Sequence, residues 1–263
     1  MTDAIVAAHR KGIIHRDLTP SHVMVTGAGY INFSRTVVPL ALAALALGIP
    51  LDATGAWWAQ PLVSVCAWAA LGWIAAGATA AHRAELAACV VLATAGELFL
   101  KDVWGLYEYR LGNLPLFIPA GHALVYAAAS RMALAAPRWL PRAVVVACAV
   151  TAAYGAWRGY DTFGLVWALA FVAFVWRSTN PRLCATLFVF ALAIELYGTA
   201  LGGWRYYPVE PWFGLTTTNP PVWIGAVYCT LETLVRAALR IPVHGRGCFT
   251  RIRLAGRRAA ALL

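Results

Sequence analysis

PLVSVCAWAALGWIAAGATAA, residues 61–81, runs for 21 positions without one charged side chain. A helix of about 20 apolar residues spans the ~30 Å hydrocarbon core of a bilayer. The same texture extends in both directions: 61% of the 263 residues are hydrophobic, only 12% are charged, and the mean hydropathy is +0.68. Soluble domains carry about 25% charged residues, so this chain has too few polar side chains to cover a water-facing surface. The implied fold class is all-α, a polytopic membrane helix bundle.

Eight candidate transmembrane helices follow, at roughly 36–51, 61–81, 85–104, 114–131, 141–157, 162–177, 182–203 and 220–240. Pro61, Pro141, Pro181 and Pro220/Pro221 stand at starts, where a missing N–H costs nothing. Abundant Ala and Gly let helices approach closely. The domain plan is a 1–35 N-terminal segment, a 36–240 membrane domain and a basic 241–263 tail.

With both termini cytoplasmic, 17 of the 21 Lys/Arg residues fall on the inside, from Arg10, Lys11 and Arg16 to Arg257 and Arg258. Only Lys101, Arg110, Arg158 and Arg205 fall outside. The positive-inside rule therefore favours eight spans in the cell's inner (cytoplasmic) membrane. The +10 net charge reads as topology plus a lipid-headgroup anchor in the tail, not as a nucleic-acid surface. Six scattered cysteines form no metal or disulfide pattern, no cofactor is implied, and the first 35 residues lack an apolar h-region. The expected partner is the bilayer itself.

The membrane part contains an internal echo. Glu97-Leu98 and Glu195-Leu196 are 98 residues apart, each followed after eight positions by a glycine (Gly105, Gly203) and after twelve by a tyrosine (Tyr109, Tyr207). Asn113-Leu-Pro115-Leu-Phe117-Ile118 then matches Asn219-Pro-Pro221-Val-Trp223-Ile224. Four spans separate the copies, so both keep the same orientation. This predicts two four-helix halves, about 36–135 and 141–240, related by a pseudo-two-fold axis along the membrane normal.

A carboxyl inside a span costs about 2.5–3.5 kcal/mol on insertion scales, so it needs a partner or a purpose. Glu97 and Glu195 are the candidate proton donors. Around them lie Trp104, Tyr107, Tyr109, Trp204, Tyr206, Tyr207 and Trp212, whose ring faces can stabilise a cation. Trp104, Tyr107, Tyr109, Asn113, His122, Arg205, Tyr206, Tyr207 and Asn219 are the candidate substrate-binding residues. The plainer alternatives stay open: an interfacial aromatic belt, packing carboxyls and turn residues. Glu232 with Arg236 one turn later reads as a structural ion pair.

The run ELFLKDVWGLYEYRLGNLPLFIP resembles the integral membrane carotenoid-biosynthesis proteins, both carotenoid hydratases and membrane-type lycopene cyclases. The matching positions are Glu97, Gly105, Tyr107, Tyr109 and Pro115. The resemblance implies proton-initiated hydration or cyclisation of a lipophilic isoprenoid, without a redox cofactor. The cyclases' P-x-E-E signature is half present, as Pro208-Val-Glu210-Pro211. A carrier or binding protein for a small molecule or lipid, and a structural membrane subunit, are the competing classes.

Residues 9–35 resemble a protein kinase catalytic loop. His15-Arg16-Asp17-Leu18 matches H-R-D-L, with Asp17 at the base position. The second magnesium ligand falls on His22, the expected Lys on Thr19, and D-F-G on Asn32-Phe33-Ser34. Phosphoryl transfer needs metal and Lys charge around the phosphates, so an active kinase is not expected.

Overall fold

The computed structural model describes residues 28–240, with side chains from Thr36 onward. Residues 1–27, with most of the kinase-like stretch, and the basic tail 241–263 lie outside the described residues; the backbone of residues 28–35 belongs to the first described helix.

Eight α-helices form among the described residues: α1 (Ala28–Ala53), α2 (Ala59–Gly77), α3 (Ala80–Leu98), α4 (Phe117–Ala135), α5 (Leu140–Arg158), α6 (Thr162–Arg177), α7 (Pro181–Ala200) and α8 (Ile224–Arg240). A π-helical turn, Phe99–Val103, extends α3, and two short strands, β1 (Tyr107–Tyr109) and β2 (Trp204–Tyr206), follow α3 and α7. The starts of three helices are fixed by local chemistry: the Thr79, Asp161 and Asn180 side chains accept from the N–H groups of His82, Gly164 and Leu183. Gly159, with φ of 76°, ends α5 in the left-handed conformation that glycine adopts at no cost.

Among the described residues, four helices, α1 (over Thr36–Ala53), α2, α5 and α7, are long and apolar enough to cross a membrane. The expected eight exceed this number for identifiable reasons. Helices α6 and α8 have 16 and 17 residues, and α3 carries Arg83, Glu85 and Glu97. Helix α4 is an inner helix, with 12 of its 19 residues buried. A helix shielded by its neighbours needs little lipid-compatible surface.

Helices α3, α4, α7 and α8 form a closed inner ring, each packing on the next, with α8 returning to α3. The α1–α2 pair covers α4 from outside, and the α5–α6 pair covers α7 and α8. Small residues permit this density. On α4, Ala120, Ala123, Ala127 and Ala128 are wholly buried, and a Cβ on Gly225 of α8 would overlap Phe188 of α7.

The strands pair antiparallel across the ring's mouth, Tyr107 opposite Tyr206, Glu108 opposite Arg205 and Tyr109 opposite Trp204. Two further backbone bonds extend the ribbon, Arg110 N–H to Gly203 O at 3.0 Å and Tyr207 N–H to Leu106 O at 3.1 Å. The interhelical loops gather at this end: Arg110 donates to the Asp52 carbonyl at 2.5 Å, and Thr216 Oγ1 donates to the Gly159 carbonyl at 2.9 Å.

Candidate functional site

Each buried glutamate is held by the strand that follows its helix. Tyr107 and Tyr109 donate to Glu97 Oε2, at 2.5 and 2.6 Å. Trp204 Nε1 and Tyr206 Oη donate to Glu195 Oε2, at 2.6 and 3.1 Å. Alternation does this work, because residues i and i+2 of a strand share a face. Both strands read aromatic–charged–aromatic, so the rings point inward while Glu108 and Arg205 face out.

The ribbon is centred on Glu108 and Arg205, so equivalent strand positions differ by 97 residues. The sequence echo, aligned on the glutamates, is therefore one residue out of step along the strand. Tyr109 corresponds to Tyr206, not Tyr207, and Gly105 (φ 75°) corresponds to Gly202 (φ 71°), not Gly203. The extra residue of the first copy sits in the π-helical turn, where Trp104 N–H reaches back five residues to Phe99 O at 2.8 Å. Such a turn takes one more residue than an α-turn without breaking the helix.

Glu97 has a further partner. His122 Nε2 lies 3.2 Å from Glu97 Oε1, and His122 Nδ1 lies 3.0 Å from the Ile118 carbonyl. A carbonyl only accepts, so Nδ1 carries a hydrogen. One proton is then shared between Nε2 and Oε1: a neutral imidazole facing a carboxylic acid, or an imidazolium facing a carboxylate. The His122 ring stacks on Tyr228. Glu195 has no such partner. Both of its donors use Oε2, and among the described residues no protein donor bonds Oε1.

Two cavities meet at this cluster. Glu97, Tyr107, His122, Glu195, Tyr206 and Tyr228 line both. The smaller, about 60 Å³, lies among α1, α2, α4 and α7, with Leu45, Ile49 and Val63 in its wall. The larger, about 240 Å³, lies between α3 and α8. Its wall includes Phe99 and Leu234, 40% and 48% exposed, so its rim reaches the outer surface of the bundle.

The remaining candidates divide. Trp104 lines the larger cavity, stacks on Trp212 at 4.7 Å and donates to Glu210 at 2.9 Å. Asn219 lines neither cavity but accepts from the Tyr206 N–H at 3.1 Å, which steadies β2. Asn113, Arg205 and Tyr207 line neither. Asn113 donates to Gln60 at 3.0 Å on the surface, and Tyr207 donates to Glu108 at 3.0 Å on the ribbon's outer face. Glu210, half of the cyclase-like signature, is a loop staple: fully buried, it accepts N–H bonds from Trp104, Trp212, Phe213 and Leu215. Burial pushes its carboxyl up, but the four donors outweigh this and leave it below the ordinary carboxylate value.

Trp204 and Tyr228 belong to the cluster and were not among the binding residues expected from sequence. Trp204 corresponds to Tyr107 at the 97-residue offset of the strands, whereas the 98-residue echo sets it against Leu106. Tyr228 was within reach: the Asn-x-Pro match has an offset of 106, which carries His122 onto Tyr228. No family model, curated protein or solved structure matches this chain.

Proposed function

We propose that this chain is an eight-span protein of the cytoplasmic membrane, built from two related halves, that protonates a terminal double bond of a lipophilic isoprenoid. The observation that carries this reading is the convergence of Glu97 and Glu195, each clamped by two aromatic donors, on the same pair of largely apolar cavities. Carboxyls that served packing alone would need no adjoining space.

The two-fold register of the ribbon supports the halves, as does the ring order in which α3–α4 and α7–α8 occupy matching places. The distribution of basic residues supports both termini on the cytoplasmic side. The cavity volumes suit one end of an isoprenoid chain, with the rest leaving through the rim toward lipid.

In the proposed reaction a carboxylic acid gives its proton to one alkene carbon. The π pair forms the new C–H bond and the neighbouring carbon becomes cationic. The rings of Tyr107 and Tyr206 stabilise that cation. Water then adds, or a second double bond closes a ring, and the proton released returns to the carboxylate. No electron acceptor is consumed, and neither product requires a cofactor.

Pigment analysis of cells supplied with lycopene and expressing the chain tests this. Wild type should convert the pigment, and Glu97→Gln and Glu195→Gln should not. An unchanged pigment profile with well-inserted wild-type protein refutes the carotenoid substrate. A carrier for the same lipids would use the same cavities, and lycopene retained on the purified protein without conversion would favour that role.

A further inference from the structure

The end of the bundle opposite the ribbon holds a cavity of about 310 Å³, formed by the last turns of α6 and α8 and the link after α6. Arg177, Arg236 and Arg240 all line it. Guanidinium groups gathered in one concavity repel each other, so an anion between them is favoured, although Arg177 and Arg240 are exposed to screening by solvent.

Protein groups supply only part of it. Glu232, 2% exposed, accepts from Arg236 Nε one turn away, and Arg236 Nη1 donates to Thr179 Oγ1 at 3.2 Å. These contacts use two of the guanidinium's five N–H donors and fix the head in place. Arg177 makes no ion pair among the described residues. Helix C-termini attract cations, which favours Arg177 and Arg240 at the ends of α6 and α8, and Glu232 offsets Arg236. Three arginines against one glutamate leave an excess charge of +2.

We propose that this pocket binds a phosphate group. A tetrahedral phosphate offers more acceptor oxygens than a carboxylate, and its charge of up to about −2 matches the excess that several guanidinium forks present. Phe174 supplies an apolar wall beside the charged one, the combination met by a phospholipid headgroup seated where acyl chain gives way to phosphate. Free phosphate offers the same oxyanion without the apolar part.

The test uses the full-length protein. Thermal unfolding and native mass spectrometry are recorded in neutral detergent with inorganic phosphate, and in nanodiscs of phosphatidylcholine with and without phosphatidylglycerol. The double variant Arg177→Gln/Arg240→Gln is compared with wild type, since it leaves the Glu232–Arg236 pair intact. The basic tail is present in both proteins and sets a common background. Phosphatidylglycerol should bind wild type and raise its melting temperature, and the double variant should lose at least about tenfold in affinity. Protection by inorganic phosphate that competes with the lipid supports the site and identifies the bare anion as sufficient. Protection by the lipid alone supports a headgroup. If the double variant is poorly folded, the single Arg177→Gln variant, altered at an exposed position, carries the comparison. Equal phosphatidylglycerol affinity in wild type and variant overturns the proposal, as does the absence of binding by either probe.

Discussion

His122 stacks on Tyr228 with ring centroids 5.1 Å apart and planes 13° from parallel. The two residues stand 106 positions apart on α4 and α8, so the centre of the ring pairs an imidazole of one helix with a phenol of the other. Only the imidazole reaches a glutamate, at 3.2 Å. Two nearly equivalent carboxyl sites thereby acquire different chemistry, one coupled to a base and one with an unbonded oxygen beside the cavities.

Replacing His122 with Phe keeps a flat ring on Tyr228 and removes the proton partner of Glu97. Loss of a buried hydrogen-bond partner costs about 1–3 kcal/mol, and loss of a general acid–base group costs about 10²–10⁴-fold in rate. If the proposed reaction holds, the variant remains folded by size-exclusion chromatography while conversion of the supplied isoprenoid falls by at least about 10²-fold. A drop in activity matched only by loss of protein would indicate a packing role.

Gly198 lies one turn after Glu195, and a Cβ there would overlap the Trp204 indole. Gly198→Ala should displace Trp204, break its 2.6 Å bond to Glu195 and destabilise the protein by about 1–3 kcal/mol. In a Trp204→Phe background the same substitution should cost less, because the bond is already absent. A double-mutant cycle read by thermal unfolding checks this, and additive effects would contradict the contact.

Asn219 and Asn113, equal in the sequence echo, should differ on mutation. Asn219→Ala removes the acceptor of the Tyr206 N–H and should cost about 1 kcal/mol, with a loss of activity as β2 loosens. Asn113→Ala, on the surface, should change stability by no more than about 0.5 kcal/mol.

Glu210 should make the ribbon end acid-sensitive. Its carboxyl is held below the ordinary value of 4.5, so its contribution to stability is complete above that pH and is lost as pH falls through the lower folded value. Glu210→Gln keeps the side-chain shape and cannot ionise. Melting temperatures measured from neutral pH down to strongly acidic pH should fall more steeply for wild type than for Glu210→Gln below 4.5. Parallel curves would show that another group carries the acid sensitivity.

Helices were legible where apolar length alone decides. The expected 162–177 helix coincides with α6, and 141–157 differs from α5 by one residue at each end. The candidate glutamates were legible because a charge stands out in an apolar run. The ribbon was not, since three residues are too few for a strand's alternation to register against surrounding helices. YEY and WRY do carry that alternation, aromatic–charged–aromatic. The one-residue slip between the copies arose because a π-helical turn leaves no mark in composition: Phe99–Val103 reads like any amphipathic end. Tyr107, Tyr109, His122 and Tyr206 were all expected near the glutamates, so among their partners the slip obscured only Trp204.

The seam between β1 and β2 is written in main-chain hydrogen bonds, which are indifferent to the side chains they carry. Side-chain substitutions at the outward positions Glu108 and Arg205 therefore leave the seam standing. The joint holds the inward aromatic rings in register through bonds that no single side-chain change removes.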